Sequence, residues 1–183
     1  MYRIRRCKLK KLILLIFFIS SLFGQTIDVD KTFVKFQVRN MGVRNVYGTI
    51  TGMIGTVKFD SAQPDSAIFD VTVNVNTINT DDQKRDAHLK NEDFFETDKW
   101  PTIRFRSEQI SKQDSIYNVI GYLTIKDITQ KVLVPFNIEE TDTTITFTGG
   151  EVVNRLDYNV GVNYNNFKIG FEINVEVVCT INK

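Results

Sequence analysis

Alternation with a period of two runs through almost the whole chain after Ile27. Successive side chains of a strand point to opposite faces, so this pattern commits a segment to a sheet with one dry and one wet face. In residues 67–76, Phe69, Val71, Val73 and Val75 share one face, while Asp70, Thr72, Asn74 and Asn76 share the other. Near the C-terminus Phe171, Ile173, Val175, Val177, Cys179 and Ile181 alternate with Glu172, Asn174, Glu176 and Thr180. The same reading holds around Val34 and Phe36, Ile103 and Phe105, Val119 and Leu123, Val134 and Phe136, and Ile145 and Phe147. With the Gly-studded residues 46–59, about eight strands result, each one-sided, which is the mark of antiparallel pairing.

Eight such strands make a sandwich or a closed barrel. Glycines at 48, 52 and 55 within one long apolar segment are what a barrel corner requires, and the long strands also favour the barrel. The expected fold is therefore all-β, an eight-stranded antiparallel barrel. Residues 80–100 break the alternation and are highly charged; one or two short helices are expected there, capped by Thr80 or Asp81 and stopped before Pro101. No repeat or linker divides the rest, which reads as one domain over residues 25–183.

Residues 1–24 differ in kind. Six basic side chains and no acid occur there, with a twelve-residue apolar stretch from Leu12 to Phe23 followed by Gly24. This is the layout of a secretory signal peptide, with cleavage expected after Gly24 and a periplasmic or secreted product. The apolar stretch is too short for an ordinary bilayer span, so no stable membrane span is expected once the signal is gone. Six of the 23 basic residues belong to this segment, leaving 17 against 22 acidic ones in residues 25–183. An acidic body argues against nucleic acid as a partner. Cys7 would leave with the signal, and Cys179, in phase with an apolar strand face, reads as a small buried hydrophobe unable to form an internal disulfide.

Candidate chemistry is sparse. One histidine and two cysteines in the whole chain exclude multi-His and Cys-rich metal sites. His88 is the one residue suited to acid–base work near neutral pH, but no nucleophile signature accompanies it, and a structural hydrogen bond is the simpler expectation. Asp93-Phe94-Phe95 and Trp100 are expected to plug one end of the barrel. The seven carboxylates at 81, 82, 86, 92, 93, 96 and 98 are expected to form a solvated face, and Arg155 to pair with Asp157 and pin a loop. Gly48, Gly121 and Gly149 on inner faces are expected to open interior room, and an eight-stranded barrel can hold one small ligand.

Three blocks resemble the YceI-like family. They are Ile78-Asn-Thr-Asp-Asp-Gln-Lys-Arg-Asp-Ala-His-Leu-Lys-Asn-Glu-Asp-Phe-Phe95 with Trp100-Pro-Thr-Ile-Arg-Phe-Arg-Ser107, then Gly121-Tyr-Leu-Thr-Ile-Lys-Asp-Ile-Thr-Gln-Lys-Val132, then Asn154-Arg-Leu-Asp-Tyr158. The resemblance extends over residues 27–181. It implies an exported, lipocalin-like barrel that is no enzyme, needs no cofactor, and holds an apolar lipid, an isoprenoid quinone or polyprenyl chain, in its interior. The tail would then be buried among Val34, Phe36, Phe69, Val71, Val73, Phe105, Leu123, Phe136, Phe147 and Phe171. By position, Arg85, Asp86 and His88 fall in the family's loop block, and Phe94 and Phe95 in its aromatic pair, so His88, Phe94 and Phe95 join the expected ligand contacts. Where family members often carry histidines, this chain has Lys31-Thr32 and Asn40, and an Asn cannot titrate. A homodimer is compatible with this reading. Two readings from other classes stand beside the carrier, a cavity-free envelope interaction or stress protein and an enzyme using His88.

Overall fold

The computed structural model describes residues 25–183, so the expected signal peptide lies outside the described residues. The strands are β1 (Thr26–Ile27), β2 (Phe33–Asn40), β3 (Arg44–Ile50), β4 (Ile54–Lys58) and β5 (Ile68–Asn74). They are followed by β6 (Thr102–Gln113), β7 (Ile116–Ile125), β8 (Ile128–Glu140), β9 (Thr144–Asn154) and β10 (Ile169–Asn182). All pair antiparallel in the order β3-β2-β10-β9-β8-β7-β6-β5-β4, with β1 on β10.

The fold is the expected antiparallel barrel of lipocalin-like kind, with ten strands in place of eight. Two causes account for the difference. Residues 46–59 are not one strand, because Gly52 takes a left-handed φ of 71° and divides the segment into β3 and β4. And β1, at two residues, is too short to show any alternation.

That division also joins the two edges of the curled sheet. β3 and β4 end the sheet order at opposite edges, yet only residues 51–53 separate them, so the chain itself steps across the seam. The Gln25 side chain adds a stitch by donating to the Phe59 carbonyl at 2.7 Å and accepting from the Phe59 N–H at 2.8 Å. Gly55 in β4 has φ 139°, and a Cβ there would run into the Asp70 carbonyl, so the corner requires glycine.

The core is the inner face of the curled sheet. Phe147 packs edge-on to Phe59 at 5.3 Å and to Phe69 at 5.2 Å, and Phe136 stacks on Tyr117 at 5.4 Å. Gly48, Gly121 and Gly149 act on interior room through their neighbours. Each lies beneath a phenylalanine ring or stem, Phe36, Phe105 and Phe136 respectively, at the spot its own Cβ would occupy. A bare backbone lets these side chains lie against the wall instead of projecting across the lumen.

The irregular segment forms one helix, α1 (Gln83–Lys90), within the expected range. Its cap is Asp82, which accepts from the N–H groups of Lys84 and Arg85, and not Thr80 or Asp81. Thr80 is buried and has another task, donating through its N–H and hydroxyl to Asp86 and accepting from the Arg85 Nε.

Candidate functional site

A cavity of about 290 Å³ runs along the inside of the barrel. That is close to the lower end of the roughly 300–1,000 Å³ usual for small-molecule sites. Eleven of the thirteen residues expected at a ligand line it. Val34 and Phe36 come from β2, Phe69, Val71 and Val73 from β5, and Phe105, Leu123, Phe136 and Phe147 from β6 to β9. Phe94 and Phe95 reach the same lumen from the turn after α1.

Two do not line it. Phe171 sits in an irregular register where β10 advances from Ile169 to Ile173 while β2 advances only from Asn40 to Val38. Its ring leaves the alternation and lies 5.3 Å from the Arg155 guanidinium. His88 stands behind the wall. Its Nε2 is 3.0 Å from the Tyr164 hydroxyl and 3.3 Å from Asp93 Oδ2, and its ring meets Phe94 edge-on at 4.9 Å. Phe94 in turn stacks on Tyr164 at 5.1 Å, so one buried ring separates the lumen from this polar trio. Burial, and then the Asp93 carboxylate, hold the Tyr164 phenol above its ordinary pKa.

The backbone explains why Phe94 is placed there. After α1 the chain wraps tightly, with the Phe94 N–H donating to the Asn91 carbonyl and the Phe95 N–H to that of Leu89. The loop after β9 then docks on this turn through the Gly161 N–H and the Asp93 carbonyl. Gly161 has φ 64°, and a Cβ on it would strike the Phe94 ring at 2.8 Å.

The lumen has residues that the alternation did not single out. Met53, Ile78, Leu89 and Val160 come from corners, loops and α1, where no period marks a face. Glu151 and Arg155 also border it and are its only charged lining residues among the described residues. Arg155 is buried but does not pair with Asp157 as expected. Its guanidinium instead donates to the carbonyls of Val160, Gly161, Tyr164, Ile169 and Gly170. A fork with five donors can collect several carbonyls of one loop, which a single carboxylate cannot offer.

The positions that replace family histidines lie off the lumen wall. Lys31 is exposed and pairs with Asp28 at 2.8 Å, while the buried Thr32 hydroxyl accepts from the Thr180 N–H. Asn40 ends β2 opposite Ile169.

Two buried acids on the core side titrate late. Burial pushes the Cys179 thiol up to about 12 and the Tyr158 phenol up to about 12. A pKa raised in the folded state stabilises the fold fully below the unfolded value, and that contribution is lost as pH rises toward the folded one. Stability should therefore fall from about pH 9 upward, at up to about 1.4 kcal/mol per pH unit for each group. Urea midpoints across that range should show the decline, and Cys179→Ala should shallow it. An unchanged slope in that variant would remove the thiol from the account.

Comparison with known proteins agrees with the architecture. The YceI-like domain profile matches residues 25–181. A UPF0312 protein of Photorhabdus laumondii is 31% identical over 102 residues, covering 56% of this chain and 53% of that protein, so the match spans about half of its length. The crystal structure of Burkholderia cenocepacia BcnA superposes with a TM-score of 0.79 at 24% identity, over 84% of this chain and 98% of that one. A polyisoprenoid binding domain from Saccharophagus degradans, implicated in plant cell wall breakdown, gives 0.71 at 13% identity, over 87% and 98%.

Proposed function

The chain belongs to the YceI-like family, and from that premise we propose that it is a non-enzymatic carrier holding a long apolar chain, such as an isoprenoid, in its lumen. The observation that carries this reading is the barrel cavity, lined by apolar side chains from eight strands and the α1 turn, with Glu151 and Arg155 as its only charged members among the described residues. Burying apolar surface yields roughly 25 cal/mol per Å², or about 0.8 kcal/mol per methylene, so a long tail is held without any catalytic group. The Saccharophagus neighbour, a polyisoprenoid binding domain of the same fold, supports the ligand class. The basic and apolar residues 1–24 support export to the periplasm or beyond. The enzyme reading finds less support, because His88 and its partners stand behind Phe94 and away from the lumen.

Native mass spectrometry of protein purified from a membrane-containing host tests both parts. A stoichiometric lipid is expected on the folded protein, released and identified by organic extraction. The polypeptide mass in the same spectrum should correspond to a chain beginning at Gln25. A protein without lipid would overturn the carrier reading, and a mass retaining residues 1–24 would overturn the export reading. His88→Ala should leave lipid content unchanged.

A further inference from the structure

At one end of the barrel the β2–β3 turn and the loop before β10 form a single tip. Met41, with φ 49°, and Gly42, with φ 69°, reverse the chain, and the Met41 N–H donates to the Lys168 carbonyl. The Phe167 ring lies over Gly42, at 3.1 Å from where a Cβ would be. Large apolar side chains point out of this tip into solvent. Val43 is 86% exposed, Phe167 63%, Val162 54% and Met41 51%. Val43 is the most exposed large hydrophobic residue among the described residues.

The charge of the tip is opposite to that of the body. Residues 40–47 and 159–170 contain no acid, and they present Arg44 and Lys168, with Arg39 beside them, all exposed. Residues 25–183 as a whole have 17 basic against 22 acidic side chains. Asp93 reaches the loop from behind, but its carboxylate faces His88. Val38, Val160 and Ile169, all on the lumen wall, border the same tip.

We propose that this tip docks on an anionic lipid membrane, with Met41, Val43, Val162 and Phe167 entering the interface and Arg39, Arg44 and Lys168 facing the headgroups. Scattered exposed apolar residues are ordinary, but four on the turn and loop of one tip, with Arg39, Arg44 and Lys168 beside them, have the composition of an interfacial anchor. Each basic side chain near such a surface gains about 1 kcal/mol, roughly a fivefold change in binding constant. The position suits loading and unloading, because the cavity wall begins where the tip ends. This last point rests on the carrier reading; the docking itself does not.

Sedimentation with vesicles of phosphatidylglycerol and phosphatidylethanolamine, against phosphatidylcholine alone, tests it. The full chain as purified should bind the anionic vesicles, and more weakly as salt is raised. Arg44→Glu with Lys168→Glu removes two bases and adds two acids, and should lower binding by at least about 25-fold, and Val43→Asp or Phe167→Ser by about tenfold. Leu133→Asp, at another exposed apolar site on β8, should leave it unchanged. The proposal is overturned by no vesicle binding, by equal binding to phosphatidylcholine, or by an equal loss in the Leu133 variant. It is also overturned if the tip variants keep vesicle binding but turn a dimer into a monomer, which would make the tip an interface between copies. Cargo measured by mass spectrometry on the same samples separates the two readings, since tip variants should stay loaded. Because the substituted side chains are exposed, their circular dichroism should match the parent, and the charge pair checks any variant that does not.

Discussion

Replacing Arg155 with leucine should lower the stability of the fold by about 3–5 kcal/mol, because several buried carbonyls lose a charged donor. For a chain of this size that is a fall of about 6–20 °C in the unfolding midpoint. The reason lies in the loop between β9 and β10. It has no regular ladder of its own, and the carbonyls of Val160, Gly161 and Tyr164, with those of Ile169 and Gly170 at the start of β10, converge on one guanidinium. Leucine would take this donor from all five acceptors, of which the Gly161 carbonyl keeps the Tyr164 N–H, in a place where Arg155 itself is only 4% exposed. Each buried orphan costs about 1–3 kcal/mol, reduced where the loop can relax toward water. The same loop carries Gly161 against Phe94 and Tyr164 against His88, so its loosening would also uncover that end of the lumen.

Arg155→Lys separates the charge from the fork. An ammonium keeps the charge but has three donors where the guanidinium has five. Most of the loss should therefore persist in the lysine variant. A lysine variant as stable as the parent in urea titrations would show that charge alone suffices and that the convergent carbonyls contribute little.

Arg155 also marks the limit of what sequence reveals in this fold. Period-two alternation is a strong signal because a strand has no freedom to turn one side chain out of phase without a bulge, and ten of the lumen residues named from strands were chosen on that basis. Nine of them line the cavity, and the tenth, Phe171, lies in the one place where β10 has an irregular register against β2. No residue type in that stretch announces the irregularity. The division of residues 46–59 was visible as glycines, but a bend within one strand and a step across the seam have the same glycine signature. Contacts made by a loop folding back are harder still. Arg155 beside Asp157 reads as an ion pair, whereas the carbonyl partners that it has are backbone atoms, common to every residue and silent in sequence. The residues alone suggest Phe94 and Phe95 as a plug at one barrel end and only the family block adds them to the ligand contacts, since the turn that aims them at the lumen depends on backbone hydrogen bonds from residues 89–97.

A carboxylate in place of Phe136 should empty the lumen. Phe136 is 5% exposed, lies over Gly149 and touches the rings of Tyr117, Phe69 and Phe147. Phe136→Asp removes a large ring, which alone costs about 3–5 kcal/mol, and asks any apolar tail to displace the water around a charge. Lipid occupancy should fall at least about a hundredfold, equivalent to about 2.7 kcal/mol. Lost stability could by itself account for lost cargo, so a filling substitution is needed beside it. Val175 lies mid-strand in β10, faces the lumen and pairs with Phe36 on one side and Glu151 on the other. A tryptophan there enters existing space, and its cost should stay below the roughly 1–3 kcal/mol of a substitution forced into a closed core. Val175→Trp should thus unfold near the parent temperature yet co-purify with little lipid. The two variants oppose each other in stability and agree in occupancy, which only a lumen-bound ligand predicts. A fully loaded Val175→Trp protein, by quantitative lipid extraction, would place the ligand somewhere other than the barrel interior.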